Sequence, residues 1–115
     1  MAIQDYAGGI GRRDDFVVEV LDAEGPTFVK LSGDLDISSA PELRARLEHF
    51  GEVIAADVVM DLDHLTFLDS CGISVIVMTC KRIRAQGGSF SASCSAPQIR
   101  RVLELTGLLE YLHMH

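Results

Sequence analysis

Two β-rich segments, Ala56 to Leu62 and Phe90 to Cys94, enclose a stretch of helical length, Ser70 to about Gln86, that Gly87-Gly88 brings to a stop. Strand, helix and strand in such quick succession restrict the fold more than any other feature, because strands joined through a helix pair in parallel and need helices to cover them. The chain before and after this unit uses the same elements. Phe16 to Leu21 and Thr27 to Leu31 flank DAEGP, whose Gly25-Pro26 marks a turn, so an antiparallel hairpin is expected. A polar hinge, SGDLDISS, follows. Ser39-x-x-Glu42 then matches a capping box, Pro41 falls in the first turn, and Ala40, Leu43, Leu47 and Phe50 make the apolar stripe of an amphipathic helix. Phe90 to Cys94 is serine-rich and is expected near a sheet edge. Ser95-x-x-Gln98 repeats the capping pattern with Pro97 inside the turn, Ile99, Val102, Leu103 and Thr106 run to a stop at Gly107, and a last strand is expected in Leu109 to His113. The alternation predicts an α/β fold, a mixed β-sheet of about five strands flanked by about three to four helices.

A chain of 115 residues, 48% of them hydrophobic, suits one core. Met1 to Arg13 runs into YAGGIGRRDD, which is glycine-rich and has no period that buries a face; residues 1–13 therefore read as a flexible tail and 14–115 as the domain. A net charge of −7 and a pI near 4.9 argue against nucleic-acid and anionic-membrane surfaces, both of which reward clustered Lys and Arg. A protein partner fits better. No run reaches the roughly 18 apolar residues of a spanning helix and the first residues lack the order of a signal peptide, so a cytoplasmic location is expected. Cys71, Cys80 and Cys94 are odd in number and have no C-x-x-C spacing, which indicates neither a disulfide framework nor a zinc site.

On a wheel of about 100° per residue, Ile73, Ile76, Val77, Cys80 and Ile83 form the core-facing side of the helix after Ser70. Cys71, Val75 and Met78 fall on the opposite side, which turns charged only from Lys81-Arg82 onward. Such a helix is either buried on both sides or carries an apolar interface beside Ser70. Ser70 itself is either the residue that caps the helix or a site of covalent chemistry.

Enzyme signatures are weak. Cys71 near a helix N-terminus, with His64, Asp61 and Asp63 close in sequence, has the ingredients of a Cys-His-Asp nucleophile. The residues six beyond Cys71 and Cys80 are Val77 and Gln86, however, where a cysteine phosphatase loop needs arginine to hold phosphate. A Gly-x-Ser-x-Gly elbow, a phosphate-binding glycine loop and a dinucleotide fingerprint after the first strand are all missing. A phospho-aspartate receiver needs further acids after its first strand and a late lysine; Asp61 and Asp63 read instead as solvated loop acids. His113 and His115 stand at a chain end, where frayed surface residues outweigh a metal site. No enzyme, cofactor or metal is expected.

LSGDLDISSAPELRARL, then VVMDLDHLTFLDSCGISVIV, then SAPQIRRVLELTGL resemble, in order, the motifs of the STAS domain family of bacterial anti-sigma factor antagonists, from about Asp14 to His113. The resemblance implies a mixed sheet flanked by helices. It also implies a switch: the unphosphorylated protein binds an anti-sigma factor that is also a serine kinase and so frees the sigma factor. Phosphorylation of Ser70 ends that binding, and a phosphatase restores it. The family's acid-leucine-aspartate loop is matched by Asp34-Leu35-Asp36. The expected partner surface is Asp34, Asp36, Asp69, Cys71, Gly72, Val75 and Met78. Asp36 either touches the partner or only builds an Asx turn.

Departures from the family pattern are specific. Cys71 replaces the second serine of the usual Asp-Ser-Ser-Gly and leaves one hydroxyl to modify; Asp34 stands where glutamate is common; the terminal helix of many relatives is expected short or missing. A second reading is a STAS module of a transport complex or a ligand-sensing scaffold without phosphorylation. At a helix N-terminus a phosphate is accommodated without unfolding, yet it adds about −1.5 to −2 charges beside Asp69, which is expected to abolish binding and leave the fold.

Overall fold

The computed structural model describes residues 16–22, 25–53 and 57–114, with side chains of 22 and 49–53 excepted, so the expected tail and the place of Phe50 lie outside the described residues. β1 (Val17–Asp22) and β2 (Thr27–Leu35) form the expected antiparallel hairpin, with Val18 opposite Leu31 and Val20 opposite Val29. α1 (Ala40–Val53) crosses to β3 (Val58–Leu68), and α2 (Ser70–Ala85) crosses from there to β4 (Phe90–Ser93). Both later pairings are parallel, and the sheet order is β1-β2-β3-β4. The two crossovers step the same way along the sheet, and crossovers of the usual right hand then leave both helices on one face. Burial agrees with that placement. Val18, Val29, Leu31, Met60, Leu62, Phe90 and Ala92 form one core with Leu43 and Leu47 of α1 and Ile76, Cys80 and Ile83 of α2, while Leu21 and Phe28 stand exposed on the other face.

α2 ends as expected. Its last turn closes through the Gln86 and Gly88 N–H groups, and Gly87 takes φ of +90°, which a side chain would resist. β4 is the edge strand expected from its serines. α3 (Pro97–Leu105) buries Ile99 and Leu103 and stops at Gly107.

Tertiary pairing changes several local expectations. Ser32 to Leu35, read as a hinge, continue β2, because Gly33, Asp34 and Leu35 pair with Leu65, Phe67 and Leu68. β3 likewise runs past Leu62, so Asp61 and Asp63 lie in a strand rather than a loop. Its eleven residues face nine in β2, and the register slips twice to absorb the surplus, between Lys30 and Ser32 and between Gly33 and Asp34. Such bulges re-aim side chains. They turn neighbouring residues outward in pairs, Asp63 with His64 and Thr66 with Phe67. Asp63 then accepts the Ser95 N–H at 2.7 Å, and the cap of α3 falls to Ala96 instead of Ser95.

The sheet has four strands among the described residues, not five. Leu108–Tyr111, overlapping the strand expected in Leu109 to His113, form a short helix, α4, and only Met114 makes a single parallel bridge to Ala92. Leu112 is buried and the Arg84 guanidinium lies 5.1 Å from the centre of the Tyr111 ring, so this segment is held by packing against α3 and the Arg84 end of α2 rather than by a strand ladder.

The solvent side of α2 also differs. Ile76, Cys80 and Ile83 face the sheet as expected, with Ile73 and Val77 half-buried, but Val75 is only 3% exposed. α1 packs along that side of α2 and covers it. Met78, one turn further on, remains 56% exposed.

Candidate functional site

β3 feeds straight into α2 through a single residue. Asp69 is extended, with φ −116° and ψ −174°, and caps the helix: its Oδ1 accepts the N–H groups of Cys71 at 2.9 Å and Gly72 at 3.2 Å, and its carbonyl accepts that of Ile73. Its own N–H donates to the Leu35 carbonyl at 3.3 Å, tying the start of α2 to the end of β2. Ser70 is therefore not the cap. It occupies the first helical position, exposed, and among the described residues its hydroxyl makes no hydrogen bond.

Gly72 explains why this turn sits so low on the sheet. A Cβ there would lie 2.5 Å from Leu35 Cγ and 2.9 Å from Leu68 Cδ1, both in buried side chains. Only a residue without a side chain lets the first turn of α2 rest on the ends of β2 and β3. Gly72 is thus a packing residue, buried below Ser70, and Cys71 beside it is half-buried.

The loop after β2 lies next to this turn, because Leu35 pairs with Leu68 and Asp36 and Asp69 leave adjacent strands side by side. Asp36 builds the Asx turn: its Oδ1 accepts the N–H of Ser38 at 2.9 Å and of Ser39 at 3.2 Å. The buried Ser39 hydroxyl donates to the Asp34 carbonyl at 2.8 Å and accepts the Asp36 N–H at 2.9 Å. It serves the loop rather than the capping box expected of it. Asp34, 8% exposed, accepts the Thr66 hydroxyl through Oδ1 at 2.6 Å and so fastens β2 to the bulged part of β3. The two acids of the loop thus have different surroundings. Asp36 is partly open beside Ser70, whereas Asp34 lies beneath the surface.

An apolar residue that the sequence reading passed over completes the surroundings. Ile37, at the tip of this loop, is 72% exposed and shares a groove of about 390 Å3 between α1 and α2 with Pro41, Arg44, Ala45, Cys71 and Ser74. An isoleucine set between polar residues, Asp36-Ile37-Ser38-Ser39, was the signal. Val75 lies at the floor of this groove and Met78 at its continuation toward Arg82.

The remaining candidates do not gather into a second centre. His64 is exposed on β3, and among the described residues no group of three or more His, Cys, Asp and Glu is placed to hold a metal ion. Burial pushes the thiols of Cys80 and Cys94 above their usual pKa, which holds them protonated and unreactive. Among the described residues no helix is long and apolar enough to cross a membrane.

Known proteins share this architecture. Residues 17–115 match the model of the STAS domain. The chain is similar to the anti-sigma-B factor antagonist of Bacillus subtilis (strain 168), 33% identical over 95 residues that cover 83% of this chain and 86% of the relative. A solved anti-sigma factor antagonist from Mycobacterium paratuberculosis superposes with a TM-score of 0.79 at 27% identity, covering 88% of this chain and 86% of that one. SpoIIAA, an anti-sigma factor antagonist solved in its unphosphorylated form, superposes with a TM-score of 0.72 at 20% identity over 88% of this chain and 86% of its own, which speaks for the fold. Such antagonists are binding proteins rather than enzymes. A four-stranded mixed sheet with α1 and α2 on one face, a cap-first entry into α2 and a sequence match over nearly the whole chain agree: the protein belongs to the STAS domain family.

Proposed function

We propose that the protein is an anti-sigma factor antagonist whose binding is switched off by phosphorylation of Ser70. In its unphosphorylated form it binds, in the cytoplasm, an anti-sigma factor with serine kinase activity and thereby releases a sigma factor; a phosphatase resets it. The observation that carries this reading is the division of labour at the start of α2. Asp69 does the capping, so the exposed Ser70 hydroxyl is not needed for stability and is open to a kinase. The names of the relatives support the antagonist role.

The switch follows from charge. A phosphate on Ser70 adds about −1.5 to −2 charges next to Asp69 and Asp36, at a surface where Ile37 and Met78 offer apolar contact. Burying that charge in an interface costs more than leaving it in water. The fold is unaffected, because the phosphate points outward from the first turn and the partial positive charge of the helix end favours it. Within this reading Ser70, Asp36, Asp69, Cys71, Ile37 and Met78 meet the partner, and Asp34, Gly72 and Val75 shape the surface from below.

The test is incubation with ATP and the anti-sigma kinases of the same genome. One phosphate on Ser70, none on Ser70→Ala, and constitutive binding by Ser70→Ala are expected. No incorporation with any of those kinases would sink the switch and favour a STAS module of a transport complex or ligand-sensing scaffold.

A further inference from the structure

Arg44 stands exposed on α1 at the edge of the groove, and among the described residues its guanidinium has no acidic partner. Glu48, one turn on, lines the same groove and pairs with Arg82 of α2 at 3.8 Å rather than with Arg44. Lys81 and Arg82 extend the basic character along the far end of α2. In a chain of net charge −7 this is a local contrast: acids cluster by Ser70, whereas the groove is flanked by Arg44 and by the Glu48–Arg82 pair, which leaves one positive charge in excess. The floor is apolar, with Val75 below and Pro41, Ala45 and Cys71 on the sides. It continues past Met78 and Thr79. Open, elongated, apolar grooves between helices suit an amphipathic segment better than a compact small molecule.

We infer that the α1–α2 groove is the second half of the partner surface, and that it seats an amphipathic segment of the anti-sigma factor whose apolar face fills the groove and whose carboxylate pairs with Arg44. The inference rests on the antagonist reading above and extends it from α2 and the acid loop onto α1. Two features choose this occupant. The groove is continuous with the Ser70 surface through Cys71, Ser74 and Ile37, and Arg44 supplies a positive charge, without an acidic partner among the described residues, that an acidic segment complements. A partner acid held at Arg44 also sharpens the switch, since phosphate arriving on the same surface repels it.

The test uses two exposed positions on α1 that the core does not need. Arg44→Glu reverses the charge and Ala45→Phe fills the groove; both variants are first checked for unchanged melting. They are titrated, beside the wild type and Ser70→Asp, against the purified anti-sigma factor kinases of the same genome. Each groove variant is expected to weaken binding by about tenfold or more, the scale of losing a central contact or a close charge pair. Either one binding within about twofold of wild type, at a difference below about 0.5 kcal/mol, overturns the groove assignment, and if Ser70→Asp is weakened in the same series the antagonist reading survives that failure. A wild-type chain that binds none of these proteins removes both.

Discussion

Gly72→Ala is the substitution that most directly probes how α2 is seated. The added methyl carbon would lie 2.5 Å from Leu35 Cγ, 2.9 Å from Leu35 Cδ2 and 2.9 Å from Leu68 Cδ1. Ordinary carbon contacts lie at about 3.5–4.0 Å, so the helix start or the leucines must yield by about 1 Å. Neither leucine swings aside easily, because both are buried and the nearest atom is a branch point rather than a chain end. Overpacking of this kind costs about 1–3 kcal/mol, and the crowding of three contacts argues for the upper half. Alanine recovers about 1 kcal/mol of helix propensity. The expected net loss is about 1–2 kcal/mol, or roughly 4–15 °C in Tm for a domain near 100 residues. Thermal melts and urea titrations measure it. A cycle with Leu35→Ala isolates the cause: that change alone costs about 2–5 kcal/mol, yet it removes two of the three clashing atoms, so the double variant is expected to be more stable than the sum by about 1 kcal/mol or more. A Gly72→Ala protein as stable as wild type, or a strictly additive cycle, would refute the close seating of α2.

Met78→Asp is expected to change stability by no more than about 0.5 kcal/mol while weakening the anti-sigma complex, and Ile76→Asp to unfold the domain, as paired melts and titrations report; equal damage from both would mean that α2 is covered on its Met78 side too. Asp36→Asn keeps the oxygen that accepts from Ser38 and Ser39, so melting is expected to stay within about 0.5 kcal/mol while partner affinity falls. Unchanged affinity and phosphorylation rate would leave Asp36 as a turn residue only. Cys80 and Cys94 have raised pKa values in the folded chain, so the unfolded chain releases their protons first and stability, intact below the ordinary thiol range, is expected to decline as pH rises through and beyond about 9. Melts from pH 7 to 10.5 on wild type and on Cys80→Ala and Cys94→Ala check this, each variant showing a shallower alkaline slope.

Local physics sets much of this protein from the chain alone. The strand-helix-strand order, the hairpin around Gly25-Pro26, the end of α2 at Gly87 and of α3 at Gly107, and the place of Ser70 at a helix start all follow from hydrophobic period and from glycine's backbone freedom, which need no distant neighbour. The structure decided whatever depended on a second element. Asp69 and Ser70 are both good caps, and the choice between them came from how β3 and α2 meet over Leu35 and Leu68. A wheel drawn for α2 alone put Val75 toward solvent because it held no knowledge of α1 lying across that side. The polar run Ser32 to Leu35 became strand, and Asp34 went below the surface, because β3 offered backbone partners and Thr66 a hydroxyl at 2.6 Å. Leu108 to Tyr111 became a helix because so short an apolar run carries no decisive period, and packing against α3 and Arg84 of α2, rather than pairing along β4, holds it half-buried.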